Sequence, residues 1–134
     1  MANEKIPGAG SHHLALAASD FDKSFAFYTE GLGMQLAAAW GEGTGRAALL
    51  DIGDGSHIEL FANGTAQPQA DAKYVHFAIR TTDTDTAFAN AIAAGAREKI
   101  APKTVAIPAT PPLPARIAFV FGPDGEEVEF FQVL

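Results

Sequence analysis

Apolar and polar positions alternate over two short runs that echo one another along the chain. In Tyr74-Val75-His76-Phe77-Ala78-Ile79-Arg80, an extended backbone puts Phe77 and Ile79 on one face and His76, Ala78 and Arg80 on the other. In His12-His13-Leu14-Ala15-Leu16-Ala17-Ala18, Leu14 and Leu16 oppose His13, Ala15 and Ala17. Each run predicts a strand with a histidine heading a face of small residues and a greasy opposite face able to hold a helix. The echo continues downstream, where Asp20 and Asp83 stand equally far behind His13 and His76 and each opens a segment of helical spacing that runs to glycine. Two similar halves make up the chain.

In the first half, Ser19 with Asp22 reads as a capping box, and Phe21, Phe25, Tyr28 and Leu32 recur at helical spacing before the stop signals Gly31 and Gly33. Strands are expected over 34–40, 46–52 and 57–61, separated by the glycine-rich turns 41–45 and 53–55. That is a β-α-β-β-β module. Residues 63–73, polar with Gly, Pro and Gln, read as the connector to the second half, and residues 1–10 as a loose lead-in. The second half predicts a helix over about 83–94, a short strand near 98–101, and strands over 116–121 and 126–133 joined by Gly122-Pro123-Asp124-Gly125. Between them, Pro102, Pro108, Pro111, Pro112 and Pro114 lack the N–H groups a sheet ladder needs, so 102–114 is expected to be a stiff loop of lid length. The expected fold class is α+β, with modules over about 11–63 and 74–134 forming a curved mixed sheet around a central cleft in one domain, 11–134.

Composition narrows the function. A chain of 134 residues with 48% apolar content supports one well-buried domain and is too short for two ordinary ones. A net charge of -7 with only nine scattered Lys and Arg argues against nucleic acid or an anionic membrane surface as partner. The absence of cysteine excludes disulfides, a thiolate nucleophile and Cys-based metal sites, leaving nitrogen and oxygen as metal donors. No apolar run approaches the roughly 18 residues that span a bilayer, and the start lacks a signal-peptide core, so a cytoplasmic location is expected.

The candidate chemistry lies in the last strand of each half. Ile58 and Leu60 claim the helix-packed face and push Glu59 to the other, and Val128 and Phe130 do the same to Glu129. Four strands thus offer His13, Glu59, His76 and Glu129 on one side. Converging in one cleft, two imidazoles and two carboxylates would suit Zn²⁺, Ni²⁺, Co²⁺, Mn²⁺ or Fe²⁺ with positions left open for water or substrate. A lone histidine or glutamate on a strand is ordinarily just solvated. The same His-first, Glu-last arrangement twice in one chain is harder to explain by surface polarity. His12, which alternates away from His13, and His57, at the start of its strand, read as surface residues; Glu127 shares a face with Glu129 and replaces it if the register slips by two. Trp40, Phe61, Phe119 and Phe131 read as core rather than pocket lining.

Several stretches together resemble the vicinal oxygen chelate superfamily of glyoxalase I, fosfomycin resistance proteins, extradiol dioxygenases and methylmalonyl-CoA epimerase. They are 13–20 with Ser24-Phe-Ala-Phe-Tyr28 and Gly31-Leu-Gly-Met34, His57-Ile-Glu-Leu60, Val75-His-Phe-Ala-Ile79, and Gly122-Pro-Asp-Gly-Glu-Glu-Val-Glu129. The resemblance covers 12–133 and implies paired β-α-β-β-β modules around a divalent metal that chelates oxygen substrates. A His, Glu, His, Glu set looks most like bacterial glyoxalase I, since dioxygenases and fosfomycin transferases use two histidines and one glutamate; Glu59 is the informative residue. The resemblance implies isomerisation of the glutathione hemithioacetal of methylglyoxal through a metal-bound enediolate, with Glu129 as the base that moves the proton and Glu59 able to share that role. It also implies a homodimer, in some members with each site built from one His and Glu pair of each chain. Glutathione carries two carboxylates, for which Arg46 and Arg116 on cleft strands, Arg80 and Lys103 are the available cations. The other classes within reach are a further metalloenzyme of the superfamily, such as a dioxygenase, epimerase or thiol transferase, and a non-catalytic small-molecule binder like the bleomycin resistance proteins.

Overall fold

The computed structural model describes residues 4, 5, 7, 9, 11–65 and 75–134. The first half contains β1 (His13–Ala17), α1 (Phe21–Ala26), β2 (Gln35–Trp40), β3 (Ala47–Asp51) and β4 (His57–Phe61). The second contains β5 (Phe77–Arg80), α2 (Thr84–Ala93), β6 (Arg97–Ile107), β7 (Leu113–Phe121) and β8 (Glu127–Val133). Each half forms its own four-stranded mixed sheet, in the orders β1-β4-β3-β2 and β5-β8-β7-β6. In both, the first strand runs parallel to the last and the remaining pairs are antiparallel. The α+β repeat is therefore present at the level of strand order. Tyr74, and most of the expected connector and lead-in, lie outside the described residues.

Both helices start where the echo puts them. Asp20 and Asp83 are the N-caps, each with an extended backbone and a carboxylate that accepts from the backbone N–H three residues on, Lys23 and Thr86, at 3.1 Å. Ser19 does not cap α1. Its N–H donates instead to the Asp124 carboxylate at 3.0 Å, tying the start of the first helix to the turn before β8. After Ala26 the helix widens into a π-helical turn, Phe27–Gly31.

The core lies between the helices and one face of each sheet. Tyr28, Leu50, Ile58, Leu60, Val120 and Val128 are fully buried and belong to one cluster that spans both modules. Each such Leu, Ile or Val contributes about 1.5–3 kcal/mol of apolar burial. The seam between modules is close and polar in one place. A Cβ on Gly31 would lie 2.5 Å from the Ala94 Cβ, and the buried Tyr28 hydroxyl donates to Glu126 at 2.8 Å. Burial, reinforced by the Glu126 charge, pushes the Tyr28 phenol well above its ordinary value of 10.0. Burial also raises the Glu126 carboxyl, against the lowering effect of the Tyr28 hydrogen bond.

The proline-rich stretch is a hairpin rather than a lid. β6 runs eleven residues and passes through Pro102, while Pro114 pairs with Ala106 near the start of β7. β6 is the outer strand of its sheet, and its register against β7 shifts on both sides of Ile100. A proline is tolerated at an edge and at a bulge because no ladder N–H is required there. Only 108–112 remains as connection. Among the described residues, β1 and β5 also have no strand on their outer sides, and no helix is long and apolar enough to cross a membrane.

Candidate metal half-sites

Ile58, Leu60, Val128 and Phe130 are buried against the helices, which turns Glu59 and Glu129 to the opposite sheet faces. The two faces are built alike. Glu59 pairs across the strands with Ala15, and Glu129 with Ala78, so each carboxylate lies beside an alanine two residues after a histidine. The small side chain leaves room for the imidazole to lean over. His13 Nε2 lies 3.6 Å from Glu59 Oε1, and His76 Nε2 lies 3.0 Å from Glu129 Oε2. Glu129 is 8% exposed; burial pushes its carboxyl above the ordinary value, and the His76 imidazole pulls it part of the way back. Both side chains of each pair offer lone pairs that suit a divalent cation.

The four residues do not converge within one chain. Among the described residues, no three His, Asp or Glu side chains approach closely enough to hold one ion. Each module supplies a pair and no more. Glu127 does not take the place of Glu129, because it is held by Lys99 at 2.6 Å while Glu129 meets His76. His57 pairs across the strands with His13 and is half-buried rather than on the surface. Its Nδ1–H donates to the His12 carbonyl at 3.1 Å. Nor does the His12 ring point away. It precedes the first residue of β1, where alternation no longer applies, and its Nδ1 lies 2.8 Å from His13 Nδ1.

The cations expected to meet substrate carboxylates divide by face. Arg46 reaches Asp22 at 2.8 Å and lies over the Phe21 ring, and Arg116 grips Asp85 with two nitrogens; both pairs are on the helix side. Alternation from Leu50 and from Val120 gives that placement, since Arg46 and Arg116 share the parity of those core residues. Arg80 and Lys103 are on the face of the His–Glu pair, by alternation with Ile79 and by pairing with Ile117. Arg80 also reaches Asp54 of the first module at 4.0 Å. Lys99, beside the Phe119 and Phe121 rings, is a cation that sequence reasoning missed, because the irregular register of β6 hides its direction.

The aromatic residues also fall differently from expectation. Trp40, Phe61, Phe119 and Phe131 lie outside the buried cluster. Phe119 meets the His76 ring edge-on at 5.1 Å, and it pairs with Glu129 across the strands. Trp40 and Phe61 flank Ala47 on the corresponding face of the first module, and Trp40 is 45% exposed. The His–Glu pair of the second module is therefore walled by an aromatic ring, and the first module carries aromatic residues on the same face.

Residues 10–130 match the model of the Glyoxalase/Bleomycin resistance protein/Dioxygenase superfamily. The uncharacterised protein YwbC of Bacillus subtilis (strain 168) is 32% identical over 125 residues, covering 90% of this chain and 94% of that protein. A glyoxalase I mutant from Zea mays superposes with a TM-score of 0.73 at 24% identity, over 90% of this chain and 43% of that one. TnmS3, an antibiotic binding protein from Streptomyces sp. CB03234, superposes with a TM-score of 0.72 at 23% identity, over 94% and 97%. At such identities the solved structures speak for the fold alone. The chain belongs to the glyoxalase/bleomycin resistance protein/dioxygenase superfamily.

Proposed function

We propose that this chain is a metal-dependent isomerase of the glyoxalase type, acting as a homodimer on a glutathione hemithioacetal. His13 and Glu59 of one copy and His76 and Glu129 of another would hold one divalent ion. The observation that carries this reading is the recurrence of the His–Glu pair at the same register in both modules, each pair short of a full ligand set. In kind, the donors fit Ni²⁺, Zn²⁺, Co²⁺, Mn²⁺ or Fe²⁺. In number, they fit only when two halves meet. The outer edges of β1 and β5, unpaired among the described residues, lie next to those halves and offer backbone groups to join them.

A divalent metal held there supplies Lewis-acid polarisation of a carbonyl oxygen. Glu129 is the proton acceptor, since partial burial and a raised carboxyl favour taking a proton from carbon and returning it to the neighbouring carbon. Glu59, more exposed and further from its histidine, can share that task. Phe119, across the strands from Glu129, and Phe131, two residues beyond it, share the face of the buried carboxylate on the second module. Lys103, together with Arg80 and Lys99 if they leave Asp54 and Glu127, would meet the substrate carboxylates.

Metal content by mass spectrometry, with turnover after Ni²⁺ or Zn²⁺ loading, tests the reading. Near-stoichiometric metal that is lost in Glu59→Gln and His76→Ala, together with hemithioacetal turnover, is the expected result. Metal without turnover points to another metalloenzyme of the superfamily, such as a dioxygenase, epimerase or thiol transferase. A second reading, a non-catalytic binder of apolar small molecules, is favoured by the aromatic walls and by the commitment of Arg46 and Arg116 to the helix side. No metal under any loading leaves that reading standing.

A further inference from the structure

The first module holds two histidines beyond the His–Glu pair, and neither is adrift. The His12 carbonyl accepts from both the backbone N–H of His57, at 2.8 Å, and the His57 ring Nδ1–H, at 3.1 Å. A carbonyl can only accept, so neutral His57 carries its proton on Nδ1 and leaves Nε2 bare. The His12 and His13 rings meet Nδ1 to Nδ1 at 2.8 Å, so one of the two nitrogens must donate. Binding a metal through His13 Nε2, the nitrogen beside Glu59, requires the His13 proton to be on Nδ1. His13 Nδ1–H then donates to His12 Nδ1, and His12 keeps its own proton on Nε2. With these protons both ring contacts are hydrogen bonds and His13 Nε2 is left bare beside Glu59 for a cation.

We propose that His12 is the positioning residue of this half-site, fixing through its ring which nitrogen of His13 is presented and through its carbonyl the tautomer of His57. The inference rests on the metal reading above for the direction of the His12–His13 hydrogen bond, and on the ring contacts for its geometry. Histidines that bind metals usually donate their second N–H to a neighbouring acceptor, which orients the ring and raises its basicity. Here the acceptor is another imidazole. The second module has no counterpart, because Val75 stands where His12 does and is 72% exposed, and Glu127 stands where His57 does. His76 is oriented instead by its contact with Phe119.

Nitrogen-15 NMR of the histidine rings in metal-free protein, well above the imidazole titration range, reads the tautomers directly. The wild type is expected to show His13 and His57 as Nδ1–H tautomers. His12→Phe keeps the ring shape without the acceptor, so His13 should lose that bias while His57, bound to the backbone carbonyl, keeps it. His12→Gln, whose amide oxygen can accept, should restore it. Ni²⁺ affinity by chelator competition should fall about 10- to 100-fold in His12→Phe and recover in His12→Gln. An Nε2–H tautomer at His13 in the wild type, or an unchanged one in His12→Phe, overturns the proposal. Correct tautomers with no Ni²⁺ uptake by the wild type would instead sink the metal reading and leave the positioning contact intact.

Discussion

In the first module, His13 and Glu59 stand 3.6 Å apart with side chains 39% and 20% exposed, among the rings of His12 and His57. In the second, His76 and Glu129 stand 3.0 Å apart at 36% and 10%, against Phe119 and close to the Lys99–Glu127 pair. The register is the same and the surroundings are not. A hydrogen-bonded cluster holds the first histidine in place while its carboxylate stays more exposed. An aromatic wall holds the second while its carboxylate is partly dried. In the proposed reaction this separates two tasks: the more exposed Glu59 can leave the metal, and the drier Glu129, its carboxyl raised by burial, is the proton acceptor. Repeated modules can thus share one donor pattern and divide the labour through their neighbours.

Removing a histidine donor from either pair costs the most. His13→Ala and His76→Ala should each weaken metal binding by more than about 100-fold, beyond the loss typical of an outer-shell partner. Equal losses, read by chelator competition, mean both halves serve one ion. Loss in only one variant means a single module binds by itself.

The seam between the modules comes next. Gly31→Ala should destabilise by about 1–3 kcal/mol in denaturant unfolding, because the new methyl meets the Ala94 Cβ. Ala94→Gly in the same chain should return most of that loss, and no rescue would mean that the contact is not the cause. Tyr28→Phe leaves one Glu126 oxygen without its hydroxyl donor and should also lower stability by about 1–3 kcal/mol.

The same pair sets the smallest effects, which appear as pH slopes. Tyr28 is raised in the folded state, so its contribution to stability is complete below the ordinary tyrosine value of 10.0 and is lost as pH climbs through the folded value. Glu126 is raised too, so its contribution falls as pH rises from the ordinary 4.5 through its folded value. Stability curves against pH should lose the alkaline slope in Tyr28→Phe and the acid-to-neutral slope in Glu126→Gln. Slopes unchanged by these substitutions would assign the titrations to other groups.

Much of this was legible from alternation alone. Ile58 and Leu60 force Glu59 outward, and Val128 and Phe130 force Glu129, because a period of two leaves no other face. Asp20 and Asp83 announced the helix starts through the echo between halves. Alternation failed where the chain departs from it. Pro102 hid the length of β6, since an edge strand with shifted register accepts a residue that a central strand refuses. The ring of His12 escaped because it precedes the strand, and Lys99 because it falls within a register shift, between Glu98 and Ile100. The aromatic residues were misread as core because strand patterns do not reveal which face a second module or a second chain will cover. Whether the four donors meet in one chain was not legible at all, as the pattern gives faces but not the distance between two sheets.

The most direct measurement pairs the two crippled chains. Co-expressed His13→Ala and His76→Ala chains, each metal-free alone, can form a heterodimer in which one site keeps an intact module one from one chain and an intact module two from the other. If sites are shared between two copies, the mixture should bind roughly a quarter of the wild-type metal per chain after random pairing. A mixture that binds no more metal than either variant alone would contradict a site built from two half-sites.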